Sequence, residues 1–320
     1  MPKEITHWLI AERVAAGLLG SPLGSIVAEH KNCLKLGAVF HDALFYIRKR
    51  SLKKSVLALA EELHGADGED TFAVLAYFIE ALGRSARPDA LGAFTIGLLS
   101  HIVTDATFHP LVYYLTGNYY DPDPEKRSLA VQRHRRFESM LDIYLCGSQA
   151  NMRDFALCRY IQEAEYSLQD ILREGLGGLE AQKHLNGLPQ ALSGAFGVFS
   201  SMQRLYRKRP LCRLLSAVLE MLPAGGKEIA ALFYLPEFER RATELHGPLS
   251  FRNPVSGQQH RATVQELFEV AVQESVRLCQ LWEPAIMGQA PFHPPGPGRS
   301  LDCGIANTPI QAAKFFSEQD

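Results

Sequence analysis

No C-x-x-C pair occurs among the six cysteines, Cys33, Cys146, Cys158, Cys212, Cys279 and Cys303. That excludes a thiolate zinc finger and a dithiol redox centre, and buried free thiols are expected instead. An excess of charge of one sign is also lacking. With 33 basic and 35 acidic residues the formal charge is −2, so bulk electrostatics point to no nucleic-acid or acidic-surface partner. The start, Met1 to Trp8, has neither the basic and apolar order nor the small-residue cleavage site of a secretory leader, and a cytoplasmic location is expected. The most apolar stretch, Ala90 to Val103, stops short of a membrane span and has His101 and Asp105 at its end, so no transmembrane helix is expected. Alternating strand patterns are scarce, and no repeat with a period of about 20–50 residues is visible.

What the chain does have is helical periodicity almost throughout. Apolar residues at three- and four-residue steps, punctuated by Gly, Pro and Asp, predict helices over 4–19, 23–36, 51–64, 70–84, 88–108, 128–146, 150–174, 189–222, 226–246 and 262–285. One hairpin is expected between Pro248 and Thr263, where Asn253-Pro254 and Ser256-Gly257 supply turn chemistry. The stretch Gln289 to Gly298 is too rich in Pro and Gly for regular structure and opens an irregular tail. The fold class is therefore all-α, and a hydrophobic content of 47% over 320 residues suffices for one large core or two smaller ones.

Seven of the eleven histidines (His7, His30, His41, His64, His101, His109 and His134) lie before residue 135. The sharpest motif is His101-x-x-x-Asp105-x-x-x-His109. A step of four residues turns about 400° on a helix, so these three side chains share one slightly drifting stripe. Imidazole and carboxylate at that spacing chelate a zinc ion, and a carboxylate between two histidines bridges two ions through its separate oxygens. The alternative is three hydrogen-bonded polar residues on a half-buried helix. Three on an otherwise apolar helix weigh against it, since each polar group buried without a partner costs roughly 1–3 kcal/mol and one cation satisfies them together. His134-x-x-x-Glu138 repeats the spacing, although alone it reads equally as a surface pair. Between the motifs lies an aromatic loop with Tyr113, Tyr114, Tyr119 and Tyr120. His7, Asp42 and His64 are weaker candidates: a lone histidine is usually a core residue, and Asp42 also suits a helix cap.

In order along the chain, His7, the turn Gly37 to Asp42, His64, His101-x-x-x-Asp105 with His109, and His134-x-x-x-Glu138 resemble the zinc-dependent phospholipase C family, to which single-strand-specific zinc nucleases are related. The resemblance covers roughly residues 1–145. It implies a multi-helix metal-binding core over 1–147, with residues 148–320 as a helical extension packed on it and the irregular tail from about 289. It also implies a zinc-dependent phosphodiesterase, a hydrolase in which two or three Zn2+ ions activate water for in-line attack on phosphorus. Carried over residue by residue, Asp42, His64, His101 and Asp105 surround one zinc, Asp105 bridges to a second ion that His7 also binds, and His109, His134 and Glu138 hold a third. The resemblance offers Asp42 as general base. The substrate expected is a phosphoester small molecule or a phospholipid, touched by Tyr113, Tyr114 and Arg135; nucleic acid stays among the substrates without support from net charge.

The chain departs from the family in three places. The secreted enzymes use an N-terminal tryptophan as a zinc ligand, whereas Trp8 is internal and follows His7. Ala43 stands where the bacterial phospholipase has an aromatic residue of its choline pocket. A leader like that of the secreted enzymes is not expected from Met1 to Trp8. Two other readings stand beside this one. His41-Asp42, with His30 or His7 before it and Asp105 after it, also fits an HD-domain-like metal phosphohydrolase, in which His41 is a ligand. A helical interaction protein stabilised by a metal without turnover is the other. The cluster Arg204 to Arg209 reads as a solvated helix end or an anion contact.

Overall fold

The computed structural model describes residues 3–317, among which there are sixteen α-helices and two short strands, so the all-α class holds. The helices that build the site are α1 (Glu4–Gly17), α2 (Pro22–Glu29), α3 (Lys31–Gly37), α4 (Phe40–Leu44), α5 (Arg50–Leu63), α6 (Ala73–Leu82), α7 (Pro88–Thr116) and α8 (Pro124–Cys146). Beyond them come α9 (Leu157–Gln162), α10 (Leu168–Lys183) and α11 (Leu188–Tyr206). Among the described residues one hydrophobic cluster runs from Ile5 to Leu301.

Helix α7 is the axis of the fold. It is apolar on every side, the signature of a helix enclosed by others, and α1, α2, α3, α6, α8 and the later helix Val264–Leu281 all pack on it. By length and composition α7 would cross a membrane, but 94% of its most apolar window is buried inside the protein, so it is the core helix of this fold. It also runs past its expected end at 108. Pro110 removes one backbone donor without ending the helix, which continues to Thr116. Gly304, at φ +71°, passes directly over that point: a Cβ there would lie 2.5 Å from Ala106 O and 3.1 Å from the Pro110 ring.

Two glycines let α3 lie against α7 backbone to backbone. A Cβ built on Gly37 would stand 2.0 Å from Phe94 O, and one on Gly97 would stand 2.0 Å from Leu34 O. Side chains at these positions would force the helices apart. The N-terminus of α1 is held differently. Its first amides have no intrahelical acceptor, and the buried carboxylate of Asp142 on α8 takes them: Thr6 N at 2.8 Å, Thr6 Oγ1 at 2.6 Å and Ile5 N at 3.3 Å, with Tyr234 OH donating at 2.7 Å. An ion pair between half-buried Arg207 and buried Glu4, 3.0 Å, joins the same corner.

Several expected helices are divided. The segment 23–36 breaks at His30, whose φ −117°, ψ 41° is not helical and which ends α2 and begins α3. The segment 150–174 splits around a loop at 163–167, and 189–222 breaks after Tyr206, where Arg209–Val218 restarts with Pro210 in its first turn. Asp123 caps α8 by accepting Glu125 N and Lys126 N, with Pro124 at the first helical position, so α8 begins earlier than 128. The expected hairpin is present as β1 (Leu249–Arg252) antiparallel to β2 (Gln259–Ala262). All six cysteines are free; four are buried, while Cys146 and Cys158 are half-buried. The irregular tail is packed: Leu301 N donates to His64 O at 2.8 Å and Asn253 Nδ2 donates to Cys303 O at 2.7 Å.

Gly97→Ala is expected to destabilise the protein by roughly 3 kcal/mol, the upper end of ordinary overpacking, because both sides of the contact are backbone. Gly83→Ala, which meets nothing within 4 Å, serves as control. Urea midpoints measure both; equal midpoints for Gly97→Ala and wild type would refute a fixed α3–α7 contact.

Candidate metal centre

Four helices and one helix end bring the ligand candidates together. Helix α7 presents His101, Asp105 and His109 on one stripe; α1 contributes His7; α8 contributes His134 and Glu138; α4 contributes His41 and Asp42; His64 caps α5. All of these side chains are buried. Three of the rings are fixed through Nδ1 to a backbone carbonyl: His101 to Ala38 O at 2.9 Å, His64 to Ala60 O at 2.6 Å and His109 to Leu301 O at 2.5 Å. With Nδ1–H donating, Nε2 is left as the lone-pair nitrogen, the arrangement that orients an imidazole for a cation.

Two triads result. In the first, Asp105 divides its oxygens: His7 Nε2 is 3.3 Å from Oδ1 and His101 Nε2 is 3.1 Å from Oδ2. In the second, Glu138 Oε1 lies 3.0 Å from His134 Nε2 and 3.8 Å from His109 Nε2. The donor atoms of each triad lie within 4.8 Å of one another. His7, His101 and His41 form a stack, with centroids 4.0 Å apart at 14° for the first pair and 4.7 Å at 16° for the second.

The first triad is poorly satisfied by its own members. Both nitrogens of His7, Nε2 of His101 and both oxygens of Asp105 are buried without a well-directed hydrogen bond, as is Nε2 of His109 in the second triad. Six buried polar atoms without such a bond are an expensive arrangement, and four of them, His7 Nε2, His101 Nε2 and the two Asp105 oxygens, face one another at 3.1–3.3 Å. A divalent cation between them resolves it, and imidazole with carboxylate is a donor set suited to zinc. The residues therefore fit that ion.

The protonation states of four rings agree with this, whereas at His101 burial favours the neutral ring but the Asp105 carboxylate outweighs it and raises the ring, pairing the two in the metal-free protein. Burial pushes the His7 ring down to about 4, helped by the neighbouring His101, and pushes His134 down to about 4 as well. Burial also lowers His41 and His64. These rings are neutral near pH 7 and carry lone pairs. At Asp105 burial favours the neutral acid, but His101, His109 and His7 outweigh it and hold the carboxyl well below its ordinary range. At Asp42 burial wins and pushes the carboxyl up to about 8.

The second triad opens on a cavity of about 440 Å³, whose wall includes Asp42, His64, His109, His134 and Glu138. The first triad lies behind that wall. Asp42 and His64 line the cavity, and the charges of His101 and Asp105 are felt at both. Tyr113 and Arg135 line the cavity as expected from their positions, whereas Tyr114 does not and packs on the hydrophobic core; Tyr119 and Tyr120 line it in its place. Trp8 is a core residue inside α1 whose Nε1 donates to Lys35 O at 2.9 Å, and its backbone nitrogen is a peptide amide rather than a terminal amine.

Some cavity residues had no sequence signal. Asp302, in the irregular tail, lines the cavity and accepts from Tyr113 OH at 3.1 Å and Tyr120 OH at 3.3 Å. Lys3, Phe199, Tyr206 and Leu232 complete the wall from both ends of the chain. His41, fully buried with neither nitrogen hydrogen-bonded, belongs to neither triad. His30 lies in a separate group with Cys33 and Glu165, so it takes no part in an HD-type site around Asp42.

A family model described as zinc-dependent phospholipase C matches residues 6–175, just over half of the chain and a span containing every ligand candidate above. Neither the curated proteins nor the solved structures provide a match.

Asp42 yields a signed prediction for the metal-free protein. Its folded pKa, about 8, lies above its ordinary 3.8, so the folded state binds the extra proton and stability falls as pH rises between these values. Metal-free Asp42→Asn should lose that slope and melt higher than metal-free wild type at pH 8, by on the order of a few degrees. The two should converge toward pH 4. Thermal melts in chelator across this range test it; a constant difference at all pH values would contradict the assignment.

Proposed function

The chain belongs to the zinc-dependent phospholipase C family, and from that premise we propose that it is a phosphodiesterase whose two buried triads hold zinc beside a substrate cavity. The observation that carries this reading is the set of unsatisfied donors on His7, His101, Asp105 and His109, converging behind and within the wall of a roomy cavity. Asp105 supports a bridging role, since its two oxygens address different imidazoles. His109, His134 and Glu138 would hold the ion nearest the cavity, with His64 and Asp42 contributing from its wall. Zinc, when bound, supplies the positive charge that polarises a phosphoryl oxygen and acidifies water.

The chain's own groups have separable tasks. Asp42, facing the cavity, is the group placed to accept a proton; metal nearby would counter the burial that keeps it protonated. Arg135 is held by its bond to Glu228 O at 2.8 Å and offers a fixed positive charge to a phosphate. Burial and the Asp302 carboxylate raise the phenols of Tyr113 and Tyr120, which therefore stay protonated and donate hydrogen bonds. Phe45, Phe199 and Leu232 give the cavity an apolar side, which favours a phosphodiester with an apolar body, a phospholipid among them. An open cavity beside the second triad favours turnover over a purely structural metal.

Elemental analysis of purified wild type is expected to give at least two zinc ions per chain, two or three of them held at this centre, together with hydrolysis of a nitrophenyl phosphodiester. Asp105→Ala should lower the zinc count and reduce hydrolysis by at least about 100-fold, since even outer-shell changes cost up to that much. Wild type that stays zinc-free after zinc is supplied would refute the proposal.

His41→Gln separates this reading from the HD-type one. Here the zinc count is expected to be unchanged, with affinity altered by less than about tenfold; loss of an ion would make His41 a ligand and favour the HD-type site.

A further inference from the structure

Away from this centre, the corner between α2 and α3 gathers a second kind of donor set. His30 is the hinge residue between the two helices, and Cys33 follows three residues later in the first turn of α3, so the two share one side of the corner. Glu165 arrives from the loop between α9 and α10. That loop is tied down by Asn32, whose Nδ2 donates to Glu163 O at 2.8 Å and to Glu165 Oε1 at 3.0 Å. One donor atom from each of His30, Cys33 and Glu165 lies within 4.8 Å of the other two.

The metal-free corner is only partly satisfied. Cys33 Sγ, on a fully buried residue, donates to Glu165 Oε2 at 3.5 Å. His30 Nδ1 is buried with no hydrogen-bond partner. Burial, then the nearby Glu165 carboxylate, pushes the Cys33 thiol up to about 12. A thiol, an imidazole and a carboxylate brought together without any positive charge lack the component that makes such a trio favourable. A thiolate-seeking cation would displace the Cys33 proton and draw in the exposed Glu165 side chain, since donors around a tetrahedral zinc stand about 3.5 Å apart.

We propose that His30, Cys33 and Glu165 form a separate zinc site that staples the α2–α3 corner to the α9–α10 loop. Zn2+ replaces the proton on Cys33 Sγ, which passes to solvent; imidazole and carboxylate supply two further donors and water the fourth. The site braces α3, the helix that meets α7 backbone to backbone. It is independent of the catalytic reading, because neither triad contains sulfur.

That difference supplies the test. The full-length protein is stripped of metal and titrated with Co2+, and the near-ultraviolet sulfur-to-cobalt charge-transfer band is recorded. Wild type and Asp105→Ala should both show the band, while Cys33→Ser should lose it and contain one fewer zinc ion per chain. Glu165→Ala, at an exposed position, should keep the fold and weaken the titration at least tenfold. A wild-type protein without the band, or a band that survives Cys33→Ser, overturns the proposal. Loss of phosphodiester hydrolysis in Asp105→Ala with the band intact bears on the catalytic centre alone, so failures of the two readings are distinguishable.

Discussion

The closest constraint in the molecule is the contact of α3 with α7 at Gly37 and Gly97, where backbone meets backbone because neither residue has a side chain. Its importance lies one turn further along. The approach brings the carbonyl of Ala38 within 2.9 Å of His101 Nδ1, and that bond turns the Nε2 lone pair toward Asp105. His101 in turn separates His7 from His41 in the imidazole stack. An ångström added at the glycines would pass directly into ring orientation, since a packed interior transmits displacement rather than absorbing it.

A second constraint is electrostatic. Two imidazoles and one ionised carboxylate are sealed in the first triad, where solvent cannot compensate them. Such an arrangement is tolerable only with fixed supports, and the protein supplies these from backbone. Asp142 holds the start of α1, and with it His7, through the amide of Thr6; Ala38, Ala60 and Leu301 hold His101, His64 and His109. The centre is therefore preorganised by main-chain dipoles and one remote carboxylate rather than by mutual attraction of its own members.

Much of this was legible in the sequence, because helical periodicity and i, i+4 spacing are local. His101, Asp105 and His109 share a stripe by the geometry of one helix, as do His134 and Glu138. The break at His30 was not legible, because helical periodicity continues across it and tertiary packing decides where the helix turns, whereas the end at Tyr206 was signalled by the basic run before Pro210. Pro110 misled in the other direction, since packing of Gly304 over the gap lets α7 run through it. Asp302 was invisible because it lies in an irregular segment with no period, and a residue reaches a site from such a segment only through long-range contacts. Tyr113 and Tyr114 lie on the continued α7 rather than in a loop, so helix phase sends Tyr113 to the cavity and Tyr114 to the core, while Tyr119 and Tyr120 reach the cavity from the loop that follows. The extended match to residue 175 covers the ligand candidates but stops well before the tail that completes the cavity.

Leu301 touches both His109, through its carbonyl, and His64, through its amide. These two contacts span most of the chain, so during synthesis the helices bearing the histidines are complete long before the segment that orients two of them. Until residue 301 has left the ribosome, His109 lacks its anchor and the cavity lacks the wall formed by Asp302. The final orientation of His109 is thus a late, long-range event, settled well after the helix that carries the ring has been made.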